Sequence, residues 1–187
     1  MTPEVVLASQ SPRRRELLGL LFEHFEVHAC ETDESLPDGI APDKAVERLA
    51  LQKAQAVAPA YPGRLVIGAD TIVVLDGAIL GKPRDEADAA RMLGMLSGRS
   101  HEVFTGVALA WGGEARRFSC RTAVRFAALS PKEIEWYVHT GEPMDKAGAY
   151  GIQGYGARFI EGIEGDYFNV MGLPVNRLYR EIGEFTK

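Results

Sequence analysis

Seven residues near the start of the chain, Ser9-Gln10-Ser11-Pro12-Arg13-Arg14-Arg15, have the types and spacing of an anion site. They follow a short apolar run, Val5-Val6-Leu7-Ala8, that reads as a buried strand, and they open an amphipathic helix. Ser11 is a good N-cap and Pro12 suits the first helical position. The first turn of a helix carries partial positive charge and favours acidic residues; here it carries three arginines. Cations are unfavourable there unless an anion sits among them. Exposed backbone amides, two hydroxyls and guanidinium forks together would make a phosphate clamp. The alternative, on this segment alone, is a solvated basic first turn.

Other residues break the rules of their surroundings. Asp70 interrupts Val66-Ile67-Gly68-Ala69-Asp70-Thr71-Ile72-Val73-Val74, which otherwise reads as a central strand. A buried ionised carboxylate is costly unless it is paired or binds a metal. The functional expectation is a metal ligand or general base at the lip of a cleft; the structural one is an Asp capping a bulge near Gly68. Lys53 lies on an apolar helical stripe, four residues after Leu49 and four before Val57. It either snorkels to water or reaches a polar cleft and meets phosphate. Lys82, in Gly81-Lys82-Pro83 at the end of a hairpin, and Glu34, in an acidic loop with Glu31 and Asp33, are each open between solvated and functional roles. Glycines crowd the stretch Gly148-Ala149-Tyr150-Gly151-Ile152-Gln153-Gly154, which implies a tight bend or close passage by a ligand. The amide of Gln153 both donates and accepts, which suits the edge of a pyrimidine ring; the alternative is an exposed loop glutamine.

The elements that must position these residues alternate between strand and helix, so the fold class is α/β. The periodicity predicts strands over Phe25–Ala29, Leu65–Leu75 and Ala78–Leu80, the last two joined by an Asp76-Gly77 turn. It predicts two long strands, His101–Trp111 and Glu114–Phe126, meeting at Gly112-Gly113, and a last strand near Arg158–Ile163. Helices are expected from Pro42 to Pro59, from Asp85 to Leu96, from a capping box at Ser130 to a stop at Gly141, and after Pro174. The paired long strands make the sheet mixed, and nothing in the chain marks a boundary between independent domains.

The length of 187 residues, the apolar fraction of 46% and the charged fraction of 25% suit one soluble domain with a real core. A net charge of −5 argues against broad binding to nucleic acid polymers while leaving room for a local basic pocket. Cys30 and Cys120 have no metal-like spacing and are expected to be reduced thiols in a cytoplasmic protein. Met1-Thr2-Pro3-Glu4 lacks the basic start of a secretory leader, and no apolar run approaches a membrane span. The chain has no Gly-x-x-x-x-Gly-Lys-Ser/Thr loop, no His-Glu-x-x-His pair and no Gly-x-Ser-x-Gly elbow.

Six motifs taken in order, Ala8-Ser9-Gln10-Ser11-Pro12-Arg13-Arg14, Gly68-Ala69-Asp70-Thr71, Gly81-Lys82-Pro83, Leu96-Ser97-Gly98-Arg99-Ser100-His101, the stretch from Glu142 to Gly154, and Asn169-Val170-Met171-Gly172-Leu173-Pro174, cover almost the entire chain. Together they resemble the Maf family of nucleotide pyrophosphatases, named for inhibition of septum formation. The resemblance implies a single elongated domain over residues 1–187, a mixed twisted sheet flanked by helices, with two lobes around a cleft. It implies cleavage of nucleoside triphosphates between the α- and β-phosphates with a divalent cation, Mg2+ or Mn2+. Asp-Lys-Ala-Gly-Ala-Tyr-Gly-Ile-Gln-Gly looks like the dTTP/UTP type, which makes Arg13, Thr71 and Gln153 the candidates for base selection. Ser9, Arg13, Arg14, Lys53 and Lys82 would hold the triphosphate. Asp70, with Glu34, would hold the metal, and Asp70 would orient or deprotonate the attacking water. Met171 stands where an aliphatic β-branched residue is expected, and Arg15 falls outside the motif. A homodimer is the family-level expectation. Two other functions compete: a non-enzymatic, nucleotide-binding regulator of cell division, and a pyrophosphatase for 7-methyl-GTP.

Overall fold

A computed structural model describes residues 3–187; Met1 and Thr2, which begin the leaderless start expected above, lie outside that range. Strand β1 (Val5–Ala8) is buried at all four positions, as a strand covered on both faces requires. Ser11 caps α1 (Pro12–Leu18), its hydroxyl accepting from the Arg14 amide at 3.4 Å, with Pro12 in the first turn. The alternating stretch from Phe25 to Ala29 yields only β2 (Glu26–Val27), and both residues are exposed. With no buried face to hold it, the strand extends no further than two pairs with β1.

Helix α2 (Pro42–Val57) and strand β3 (Leu65–Leu75) come next. The Asp76-Gly77 turn, with φ of 51° and 80°, returns the chain into β4 (Ala78–Leu80); positive φ at both central residues is what a tight hairpin demands. Asp85 caps α3 (Glu86–Leu96). Gly112-Gly113 joins β5 (Ser100–Trp111) to β6 (Glu114–Phe126). The expected capping box is present on α4 (Pro131–His139), where Ser130 and Glu133 exchange hydrogen bonds. Short 3-10 turns lead to β7 (Ile160–Glu164), α5 (Tyr167–Met171) and α6 (Val175–Phe185). The sheet runs β2-β1-β3-β5-β6-β7, with β4 on β3. β1 is parallel to β2 and β3, whereas β3–β4 and β6–β7 are antiparallel, so the sheet is mixed. The β1–β3 register runs unshifted from Val5–Leu65 to Ala8–Gly68. On the β1 side, therefore, no register shift precedes Gly68. Cys30 and Cys120 form no disulfide, and no helix among the described residues is long and apolar enough to cross a membrane.

The chain gathers into two compact units, and β3, β5 and β6 each contribute to both. Among the described residues the first unit comprises residues 3–71, 105–120 and 172–187. Its sheet packs on α2 through Val6, Ala8, Ala50, Ala54, Val57, Val66, Ala108 and Ala110. Two glycines set how closely the helix lies. A Cβ added at Gly68 on β3 would stand 2.3 Å from the Ala50 carbonyl oxygen and 2.8 Å from the Ala54 amide. One added at Gly106 on β5 would stand 2.3 Å from the Val46 carbonyl. Helix backbone thus rests on strand backbone at two points one helical turn apart.

The second unit comprises residues 72–104 and 121–171. Its core joins Val73, Leu93, Leu96, Phe126, Tyr137, Tyr150 and Phe159. His101 is buried in it, its Nε2 2.7 Å from the Tyr150 hydroxyl and its ring edge-on to Phe126 and Tyr150. Burial alone pushes the His101 pKa down to about 4.

Replacing Gly68 with Ala has no room to succeed, because the obstacle is backbone rather than a flexible side chain. Gly68→Ala is expected to destabilise the chain by about 1–3 kcal/mol or more, read as a fall in the urea midpoint; an unchanged midpoint would show that α2 stands off the strand. His101 is expected to stay neutral: its imidazole NMR signals should hold constant from about pH 8 to 5.5, whereas an ordinary histidine titrates near 6.5. Because its folded pKa lies below the unfolded one, its contribution to stability is complete above about pH 6.5 and falls as the pH drops towards 4.

Candidate functional site

The β1–α1 turn meets β3 at the guanidinium of Arg14, all within the first unit. Its Nε donates to the Gly172 carbonyl at 2.9 Å, Nη1 to Ser9 Oγ at 3.1 Å and Nη2 to Thr71 Oγ1 at 3.0 Å. Ser9 Oγ also accepts from the Ser11 amide at 3.3 Å, and Thr71 Oγ1 lies 2.9 Å from Thr105 Oγ1. These partners of Arg14 are neutral oxygens, so the hydrogen bonds fix the fork without neutralising it. Burial lowers the Arg14 pKa, Asp70 raises it through space, Arg13 lowers it and Glu34 raises it. A desolvated guanidinium in this state is receptive to a phosphate oxygen.

Beside it lies a second charged centre. Lys53 Nζ is 2.5 Å from Asp70 Oδ1 and 2.8 Å from Glu34 Oε1. The Lys53 and Asp70 side chains are 16% and 14% exposed, against 61% for Glu34. Lys53 therefore does not snorkel to open solvent. It bridges a largely buried carboxylate on β3 and an exposed one on the acidic loop. The glycine contacts explain its reach: Gly68 lets α2 settle at Ala50 and Ala54, which flank Lys53 on the helix. Asp70 and Thr71 are the two half-buried positions of an otherwise buried strand, and each holds a basic residue from a helix.

The donor set bears on the expected divalent cation. Asp70 and Glu34 each direct an oxygen at one cationic atom, which suits a small hard ion. Among the described residues no three His, Cys, Asp or Glu side chains form a metal-binding group. Two carboxylates fit Mg2+ or Mn2+ only where phosphate oxygens and water complete the shell, the usual arrangement for Mg2+ with nucleotides.

The structure thus brings together Ser9, Arg13, Arg14, Glu34, Lys53, Asp70 and Thr71. Arg15 is exposed and lines an open pocket of about 740 Å³ with Ser9, Ser11, Glu16, His24 and Phe25. Lys82 and Gln153 belong to the second unit, and both are exposed. Sequence reading missed Thr105 and the Gly172 carbonyl as supports of Arg14. Thr105 is a fully buried hydroxyl in an apolar strand, a signal of the same kind as Asp70. Gly172 has φ of 115°, and an added Cβ would approach Arg14 Nε at 3.4 Å. It also missed Glu142 and Tyr137, which bond to the glycine-rich loop.

The chain is similar to a dTTP/UTP pyrophosphatase of Symbiobacterium thermophilum, 56% identical over 182 residues, covering 97% of this chain and 94% of the relative. It is likewise similar to a dTTP/UTP pyrophosphatase of Bacillus velezensis, 49% identical over 186 residues, covering 100% and 98%. Among solved structures, a HAM1 protein from Coxiella burnetii shares the fold at 17% identity, with a TM-score of 0.56 over 97% of this chain and 99% of that one. The model of the family described as Maf-like protein matches residues 4–185, and the chain belongs to that family.

Proposed function

We propose that this chain is a nucleoside triphosphate pyrophosphatase that hydrolyses dTTP and UTP to the monophosphate and pyrophosphate, working in the cytoplasm. The observation that carries the reading is the half-buried Arg14 fork, bonded to neutral oxygens and set beside the Lys53–Asp70–Glu34 centre. Relatives named dTTP/UTP pyrophosphatase, about half identical over nearly the whole chain, support the substrate class.

In this reading Asp70 orients a water molecule and takes its proton. The water oxygen bonds to the α-phosphorus, and the bond from that phosphorus to the bridging oxygen breaks. Pyrophosphate leaves with the electron pair, and the proton passes from Asp70 to solvent. Ser9, Arg13, Arg14, Lys53 and Lys82 hold the triphosphate and offset charge on the leaving group. Asp70 and Glu34 would hold Mg2+ or Mn2+, which when bound supplies charge neutralisation at the phosphate oxygens. Arg13, Thr71 and Gln153 select the base. The Thr71 hydroxyl is held in place by Arg14 and Thr105. Gln153 offers one donor and one acceptor, complementary to the carbonyl and ring N–H on the edge of uracil and thymine. Cytosine presents the reverse pair, so an amide held in one orientation discriminates while a freely turning one does not.

Two measurements test this. Asp70→Asn should remain folded yet lower pyrophosphate release from dTTP by about 10²–10⁴-fold, the usual worth of a general base; near-normal turnover would sink the assignment. A regulator that only binds nucleotide would release no pyrophosphate at any metal concentration. Gln153→Ala should lower the preference for dTTP over CTP by about tenfold, the worth of one hydrogen bond, and affect phosphate binding less.

A further inference from the structure

Gln153 sits on a loop whose backbone does not hold its own shape. Gly148 and Ala149 both adopt left-handed conformations, with φ of 69° and 60°, and Gly154 does so at 68°. A non-glycine residue such as Ala149 pays for that conformation, and it persists only where surrounding contacts enforce it. The Gly148 amide is held by the Gly81 carbonyl and the Ala149 amide by the Lys146 carbonyl, whereas the contacts that hold the loop from Gly151 to Gly156 converge on one side chain. Glu142 Oε2 accepts from the Tyr155 amide at 2.8 Å, and Oε1 accepts from the Gly156 amide at 3.0 Å. Oε1 also accepts from the Tyr137 hydroxyl at 2.8 Å, and that hydroxyl oxygen accepts from the Gly151 amide at 3.2 Å. One carboxylate therefore grips both arms of the loop, directly on the Tyr155–Gly156 side and through Tyr137 on the Gly151 side. Gln153 stands between the arms, exposed.

The glycines are required by this grip. A Cβ at Gly154 would stand 2.5 Å from Glu142 Oε2, and one at Gly156 would stand 2.6 Å from the Tyr137 hydroxyl. Tyr137 is fully buried in the core of the second unit, so the anchor is rigid. Glu142 is itself tied down, its backbone carbonyl accepting from Lys146 Nζ at 2.6 Å. Burial works to raise the Glu142 pKa, but the Tyr155 and Gly156 amides, Tyr137 and Lys146 outweigh it and leave the pKa lowered. The charged form that makes these bonds is thus the one present near neutral pH.

We propose that Glu142, acting with Tyr137, is a positioning residue for base selection: it fixes the loop from Gly151 to Gly156 so that the Gln153 amide is presented in one orientation. The proposal rests on the reading of Gln153 as the residue that meets the base. It assigns Glu142 no contact with substrate.

The test compares kcat and KM for dTTP, UTP and CTP in Glu142→Ala, Tyr137→Phe, Gln153→Ala and the Glu142→Ala/Gln153→Ala pair, with circular dichroism confirming the fold of each. Glu142→Ala is expected to lower the dTTP-over-CTP ratio of kcat/KM about tenfold, mainly through KM for dTTP, and to add nothing in the Gln153→Ala background. Tyr137→Phe, which keeps the core ring, is expected to shift the ratio in the same direction by a smaller factor, so the proposal stays testable should Glu142→Ala fail to fold. Glu142→Gln, which retains an acceptor oxygen, should recover part of the preference. If Gln153→Ala lowers the ratio while Glu142→Ala and Tyr137→Phe leave it unchanged, the positioning role is overturned and the reading of Gln153 stands. If the two changes act additively, Glu142 does not work through Gln153 and the proposal falls. If Gln153→Ala leaves the ratio unchanged, both fall together.

Discussion

The contact on which the first unit depends is backbone on backbone: α2 lying against β3 at Gly68 and against β5 at Gly106. Side chains between a helix and a sheet normally hold the two apart. Here they are removed at two points, and small residues on the helix, Ala50 and Ala54, complete the fit. Lys53 is carried in with the helix, and its ammonium comes to rest on Asp70 rather than in water. A lysine on an apolar stripe and an aspartate in an apolar strand are each unfavourable alone. The close approach turns them into a pair, which is how a buried charge is tolerated.

Charge is balanced differently at the two neighbouring centres. At one, a single cation, Lys53, is shared between two carboxylates, Asp70 and Glu34, and offsets only part of their charge. Arg14 is held by a serine hydroxyl, a threonine hydroxyl and a backbone carbonyl. Its positive charge is oriented but not cancelled by direct contact. This division suits a polyanion: one group is ready to receive phosphate oxygen, while the other presents a carboxylate to water or to a cation. Rigid support for the receiving group matters because a guanidinium that must first be ordered loses part of what it gains on binding.

Much of this was legible in the sequence, and the reasons are specific. Serine and proline before an arginine-rich turn correctly announced a capped helix. Asp70 and Lys53 were visible because they violated hydrophobic periodicity, and the structure pairs them. Gly68, read as the place of a bulge, shows no register shift against β1 up to that point and makes room for the helix above the strand. β2 is shorter than its alternation suggested, because alternation predicts a strand only where one face is buried. Thr105 broke the pattern of its strand as Asp70 did, but a lone threonine among β-branched residues is a faint signal. Gly172 acts through its carbonyl, which no side-chain pattern can reveal. Glu142 was quoted only as part of a motif, and its grip on the Tyr155 and Gly156 amides, and through Tyr137 on that of Gly151, emerges only when the turns after α4 are folded.

The central claim is that the β1–α1 turn and Asp70 together hold the triphosphate with its α-phosphorus beside the carboxylate. The most direct measurement is a crystal structure of the Asp70→Asn variant with dTTP and Mg2+. The account predicts the α-phosphate next to residue 70, with Arg14 and Ser9 on phosphate oxygens. A triphosphate seated away from the β1–α1 turn and from position 70 would contradict it.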